Sequence, residues 1–107
     1  MKAILLSMLI CCTYFCSIAQ TLHVATFNIR QKNNVDQGNL WDDRKKAVND
    51  LIKFHQFDIF GVQEAYKVQI DDMLAQLPGY AYIGVGRDDG HKKGEYSPIL
   101  YNTTRFK

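Results

Sequence analysis

The chain has 107 residues, a formal net charge of +2 and three cysteines. That length admits at most one small domain, and the mixed charges, with no block of Lys or Arg, exclude a clear patch for nucleic acid. Cys11, Cys12 and Cys16 all fall within the first 19 residues, so the remainder has neither a disulfide framework nor a thiolate metal site.

Met1-Lys2 is a short basic start, Ala3 to Phe15 is almost unbroken apolar sequence, and Ser17 and Ala19 are small residues two apart. This is the layout of a secretory signal peptide over residues 1–19, cleaved between Ala19 and Gln20. It predicts export to the periplasm or the extracellular space. A retained anchor helix is the alternative, but the run is short for a bilayer span. Large residues, Ile10 and Phe15, precede Cys11 and Cys16, where a lipid anchor needs a small one. The mature chain, residues 20–107, must rely on a core alone and is small for that purpose.

Leu22 to Ile29 reads as the first strand, apolar on both faces and so predicted to lie inside a sheet. Residues 30–40 form a polar loop. Asn39 is the expected N-cap of a helix over roughly residues 40–56, with Asp42 in a capping-box position. Trp41, Arg44, Val48, Leu51, Ile52 and His55 give that helix one face. Asp58 to Gln63 is the second strand. A second helix runs from Glu64 or Ala65 to Leu77 and ends at Pro78-Gly79, with Ile70, Met73, Leu74 and Leu77 as its stripe. Tyr80 to Val85 is a third strand, Gly86 to Gly94 a charged loop, and Tyr96 to Tyr101 a fourth strand in which Pro98 suggests an edge or a bulge.

The order β-α-β-α-β-β, with apolar strands, is α/β. A strand-helix-strand unit sets the first two strands parallel if they share a sheet. Asn28 and Glu64 then arrive at one rim, where open α/β sheets bind ligands. An amide and a carboxylate oxygen suit a hard divalent ion, Mg²⁺ first, with Mn²⁺ or Ca²⁺ as alternatives. Two plainer readings stand beside this one. Glu64 would be a first-turn acid favoured by the helix dipole, and Asn28 a strand-end residue entering a turn. His23, His55 and His91 lack paired ligand spacing and read as surface or packing residues. Arg87, Asp88 and Asp89 read as a solvated loop, and Trp41 and Arg44 as the buried edge of the first helix.

Thr26-Phe27-Asn28-Ile29-Arg30, then Trp41 and Arg44, then Asp58-Ile59-Phe60-Gly61-Val62-Gln63-Glu64 resemble the opening motifs of the endonuclease/exonuclease/phosphatase superfamily, the DNase-I-like metal-dependent phosphoesterases. Residues 82–90 and 94–101 resemble the next strands of its secreted bacterial members. The resemblance implies a two-sheet α/β sandwich flanked by helices, of which this chain supplies about one sheet. It also implies Glu64 as the principal metal-ligating carboxylate and Asn28 as a catalytic residue beside the metal and the scissile phosphate. The implied partner is a phosphate ester, with no stable membrane anchor, and the protein is expected to be a monomer.

The superfamily's Asp-x-Asn pair, its further Asp and its Ser-Asp-His ending have no counterpart in these residues. The expectation is therefore an N-terminal portion of a longer phosphoesterase, inactive alone. A secreted noncatalytic binding domain on the same scaffold, or a nonfunctional truncated product, are the competing expectations.

Overall fold

The computed structural model describes residues 20–107; the expected signal peptide lies outside the described residues. The elements are β1 (Val24–Asn28), α1 (Trp41–His55), β2 (Ile59–Gln63), α2 (Lys67–Gln76), β3 (Tyr80–Ile83) and β4 (Ile99–Asn102). They build one four-stranded mixed sheet in the order β1-β2-β4-β3. β1 and β2 are parallel, with Val24 opposite Ile59 and Asn28 opposite Gln63. β4 runs antiparallel to both β2 and β3. Among the described residues no helix is long and apolar enough to cross a membrane.

Period-two alternation divides the sheet into two faces. Phe60, Val62 and Leu100 point to one, where Trp41, Ile52, Ile70 and Met73 from the two helices close over them, all essentially inaccessible to water. Phe60 is the centre, with ring centroids 6.1 Å from Phe27, 5.9 Å from Phe57 and 6.0 Å from Tyr80. Fully burying one such side chain stabilises the fold by about 1.5–3 kcal/mol. Trp41 ties the helices together, its indole N–H donating to Asp72 Oδ2 at 2.8 Å. Asn49, polar and off the predicted stripe, is fully buried on α1, its amide donating to Lys45 O at 2.9 Å.

The other face is open. Val24 on β1, Ile83 on β3 and Ile99 on β4 are 63%, 67% and 46% exposed. Apolar patterning predicts β1 inside a sheet and covered on both sides. Among the described residues β1 lies at one edge of the sheet and both helices pack on the Phe60 side, so only that face of β1 is covered by them.

Several boundaries also differ from expectation. Leu40, not Asn39, is the N-cap of α1. Its backbone N–H donates to Asp43 Oδ2 at 3.1 Å, so Asp43 rather than Asp42 closes the turn, while the Asn39 side chain bonds back to Asp36 at 3.2 Å. α2 begins at Lys67 because Ala65 is still extended, exchanging backbone bonds with Tyr96 at 3.2 and 2.7 Å. The fourth strand begins at Ile99, and it is central, not an edge. Pro98 stands just before it, where its carbonyl accepts from Val62 N–H at 2.9 Å and no donor is required of it. β3 stops at Ile83, and the next residue, Gly84, passes so close to Pro98 that an added Cβ would lie 3.0 Å from its Cα.

Candidate functional site

The parallel β1–β2 pair delivers Asn28 and Glu64 to the same rim, and their side chains touch. Asn28 Nδ2 donates to Glu64 Oε1 at 2.7 Å. The opposite end of the amide is also committed, with Asn28 Oδ1 accepting from the Arg30 backbone N–H at 2.7 Å. These two bonds fix which way the amide faces, nitrogen toward the carboxylate. The Gln31 backbone N–H points at Glu64 Oε2 at 3.4 Å, and Gln31 Oε1 in turn accepts from the Tyr66 hydroxyl at 3.1 Å. Glu64 is thus half-buried and gripped on both carboxylate oxygens.

Its backbone is unusual. Glu64 has φ of 59° and Arg30 has φ of 57°, both in the left-handed region that non-glycine residues rarely occupy. Such conformations cost on the order of 1–3 kcal/mol each and persist only where surroundings hold them. At Glu64 the holders are the Asn28 amide and the Ala65–Tyr96 bridge one residue on. This places Glu64 three residues before the first helical residue of α2, in the strand-to-helix turn. It is not a first-turn acid.

Arg44 braces the other side of the rim. Its guanidinium donates to the carbonyls of Ile29, of Arg30 at 2.7 Å and of Asn39 at 3.0 Å. Its carbon Cζ lies 5.4 Å from the centroid of the Trp41 ring. Partial burial, and then the neighbouring Arg30 charge, pull its pKa below the ordinary value, but a guanidinium remains charged at neutral pH. Between β1 and α1 this leaves a groove of about 360 Å³, lined by Phe27, Asn28, Arg44, Val48 and Leu51 among others.

The loop between β3 and β4 rises at the same rim, since the Tyr96–Ala65 bridge anchors its end beside Glu64. Its acids serve the loop. Asp89 Oδ1 accepts from the backbone N–H groups of His91, Lys92 and Lys93 at 2.8, 2.9 and 3.0 Å, which holds its carboxyl below the ordinary range. Arg87 pairs with Glu95 at 3.3 Å and Asp88 at 3.5 Å. The histidines lie apart from one another in role. His23 Nδ1 sits 3.1 Å from His55 O and 3.3 Å from Gln56 O at the end of α1, His55 stacks on Phe57, and His91 belongs to the charged loop.

Among the described residues no three His, Cys, Asp or Glu side chains cluster for a metal ion. Glu64, half-buried and oriented by the Asn28 amide and the Gln31 backbone N–H, is a hard oxygen donor of the kind Mg²⁺ takes. That ion keeps several waters and takes one or two carboxylates together with substrate phosphate.

Neither a family model nor a curated protein matches the chain. Solved structures do. A mannosyl-6-phosphatase of Bacteroides thetaiotaomicron is 48% identical over 78% of this chain and 32% of its own length, with a TM-score of 0.77. An endonuclease/exonuclease/phosphatase of Bacteroides vulgatus is 48% identical over 79% of this chain and 33% of its own, also at 0.77. The chain belongs to the endonuclease/exonuclease/phosphatase family. A second Bacteroides thetaiotaomicron protein of that family is 49% identical over 77% of this chain, with a TM-score of 0.75. The chain spans about a third of the length of these relatives. Its sheet and two helices are part of the family's DNase-I-like α/β fold.

Sequence reasoning brought Asn28 and Glu64 to one rim but passed over Gln31 and Gln69. Gln69 is fully buried and lies on the α2 stripe, one residue before Ile70 and four before Met73. A glutamine in an apolar stripe is the signal that would have found it.

Proposed function

We propose that this chain carries part of the active site of an exported, divalent-metal-dependent phosphoesterase, with Glu64 as the metal-holding carboxylate. One observation carries the reading: Glu64, in a strained backbone conformation at a parallel strand end, is held by Asn28 at 2.7 Å. Strain retained around a fixed carboxylate is a mark of a functional site. A divalent ion bound there supplies Lewis-acid polarisation of a phosphoryl oxygen.

The chain's own groups do the rest of what is visible. Asn28 turns its N–H toward Glu64 Oε1, and an ion would take the lone pairs of the two carboxylate oxygens that this bond and the Gln31 N–H leave free. The Gln31 N–H limits rotation of the carboxylate about its last bond. The second N–H of the Asn28 amide, which the bond to Glu64 leaves unused, would donate to a phosphoryl oxygen of a bound substrate. Hydrolysis is proposed to need groups beyond residues 20–107, since one carboxylate supplies no second acid or base for the attacking water. The substrate class is a phosphate ester. The relative named a mannosyl-6-phosphatase supports trying sugar phosphates first, with a generic phosphodiester as comparison. Export rests on the residue 1–19 pattern, and N-terminal sequencing of secreted protein, expected to begin at Gln20, checks it.

Glu64→Gln tests the site. It keeps shape and removes charge, so at the full encoded length turnover should fall by about 10²-fold or more and Mg²⁺ binding should weaken. The metal-free melting temperature should fall only slightly, since one of the two hydrogen bonds onto this side chain is lost. Near-normal turnover at limiting Mg²⁺ would sink the assignment.

A further inference from the structure

Gln69 is fully buried in α2 and every polar atom of its side chain is used. Oε1 accepts from Tyr66 N–H at 3.0 Å, which caps its own helix, and from Lys32 N–H at 2.9 Å. Nε2 donates to Arg30 O at 3.0 Å. The last two bonds reach residues 37 and 39 positions away, in the loop that follows β1. That loop carries the Arg30 N–H that holds Asn28 and the Gln31 N–H that faces Glu64. A helix cap alone would need only the Tyr66 bond, and a glutamate would make it equally well. The amide nitrogen is needed only for the long-range bond to Arg30. Of the three left-handed non-glycine residues among the described residues, Gln56 ends α1, and the other two, Arg30 and Glu64, lie on the two segments that Gln69 joins.

We propose that Gln69 is a positioning residue that locks the β1 and β2 strand ends together and so sets the affinity of the rim for a divalent cation. This rests on the phosphoesterase reading of Glu64. Gln69 touches neither substrate nor ion; it acts through Arg30, Gln31 and Lys32. Groups that orient metal ligands in this way typically change metal affinity by about 10- to 100-fold when removed.

The test uses the protein at its full encoded length with Gln69→Met, which keeps the buried volume and loses all three bonds. Two readouts are taken well below each variant's melting temperature: Mg²⁺ binding by calorimetry, and amide exchange of the metal-free protein at Gln31 and Lys32. Ile52→Val, a core change remote from the rim, controls for general destabilisation, and Glu64→Gln is run in parallel. The expected result is Mg²⁺ affinity weakened about tenfold and faster exchange at Gln31 and Lys32, with neither effect in Ile52→Val. Wild-type Mg²⁺ affinity in Gln69→Met, alongside weakened binding in Glu64→Gln, would overturn the positioning role and leave the phosphoesterase reading standing. Wild-type affinity in Glu64→Gln would instead overturn that reading, and unchanged exchange at Gln31 and Lys32 would then remove the lock as well. Should Gln69→Met not fold, Gln69→Asn carries the same readouts, because it keeps a neutral amide on a stem too short to reach both Tyr66 and Arg30.

Discussion

Replacing Arg44 by lysine should loosen the rim without emptying the core. The guanidinium serves three carbonyls at once, those of Ile29, Arg30 and Asn39. A lysine ammonium is a compact charge on a flexible stem and cannot reproduce that fork. At most one of the three bonds survives. Arg30 and Asn39 are exposed, so water replaces the lost donors and each bond is worth only about 1 kcal/mol net. Arg44→Lys should then cost about 2 kcal/mol. Arg44→Met loses all three bonds, together with a cation–π contact to Trp41 of about 0.5–1 kcal/mol. It should therefore cost about 3–4 kcal/mol. Urea denaturation of metal-free protein at neutral pH, fitted with the m-value shared between variants, measures both. The ordering matters as much as the size: wild type, then lysine, then methionine. Arg44→Lys within about 0.5 kcal/mol of wild type, the range of an ordinary surface change, would refute the argument that the fork braces the segment after Asn28.

Two further outcomes follow from features away from Glu64. Gly86→Ala places a methyl group 2.2 Å from Lys93 O, an overlap with backbone that the loop can relieve only by opening, so trypsin should cut faster after Arg87, Lys92 or Lys93; an unchanged digestion rate would count against the packing described. Asp58 is nearly buried and its carboxyl is held below the ordinary range by the His23 backbone N–H first and then by Arg105, at 2.8 and 2.7 Å. A depressed folded-state pKa gives stability that is present above the unfolded value, about 3.9, and is lost as pH falls through the folded value. The stability gap between wild type and Asp58→Asn should therefore be widest near neutral pH and shrink in acid, as urea titrations across that range would show; a constant gap would contradict it.

The alternation of apolar residues made the β-α-β start legible, and with it the rim shared by Asn28 and Glu64. Helix α1 was legible from Trp41, Val48 and Ile52 at helical spacing. What escaped depended on partners far along the chain. Ala65 looks like a good helix start, yet it is pulled into a bridge by Tyr96. Pro98 looks like an edge signal, yet the missing N–H falls one residue before the ladder and β4 lies at the centre. Asn39 is a better cap by type than Leu40, but Arg44 and Asp36 claim it. Gln69 reads as one more polar helix residue until its reach to Arg30 and Lys32 is known. Even Glu64, whose place at the strand end was visible, showed nothing in sequence of its left-handed backbone.

The strand order has a consequence for how the sheet is made. β1, α1 and β2 form a contiguous unit that can close as soon as the chain through Gln63 is free. β3 cannot join it, because β3 pairs only with β4, and β4 is the strand that sits against β2. During synthesis β3 therefore emerges with no partner, and the edge of β2 stays uncovered until the fifteen residues between Ile83 and Ile99 have been made and β4 can slot between them. Sheet pairings between distant segments are slow to form, and unpaired edges invite association with other chains. The interval between β3 and β4 is thus one in which the nascent sheet is exposed, and the loop that separates them is pinned by Asp89 and Tyr96 only once its own residues have been made.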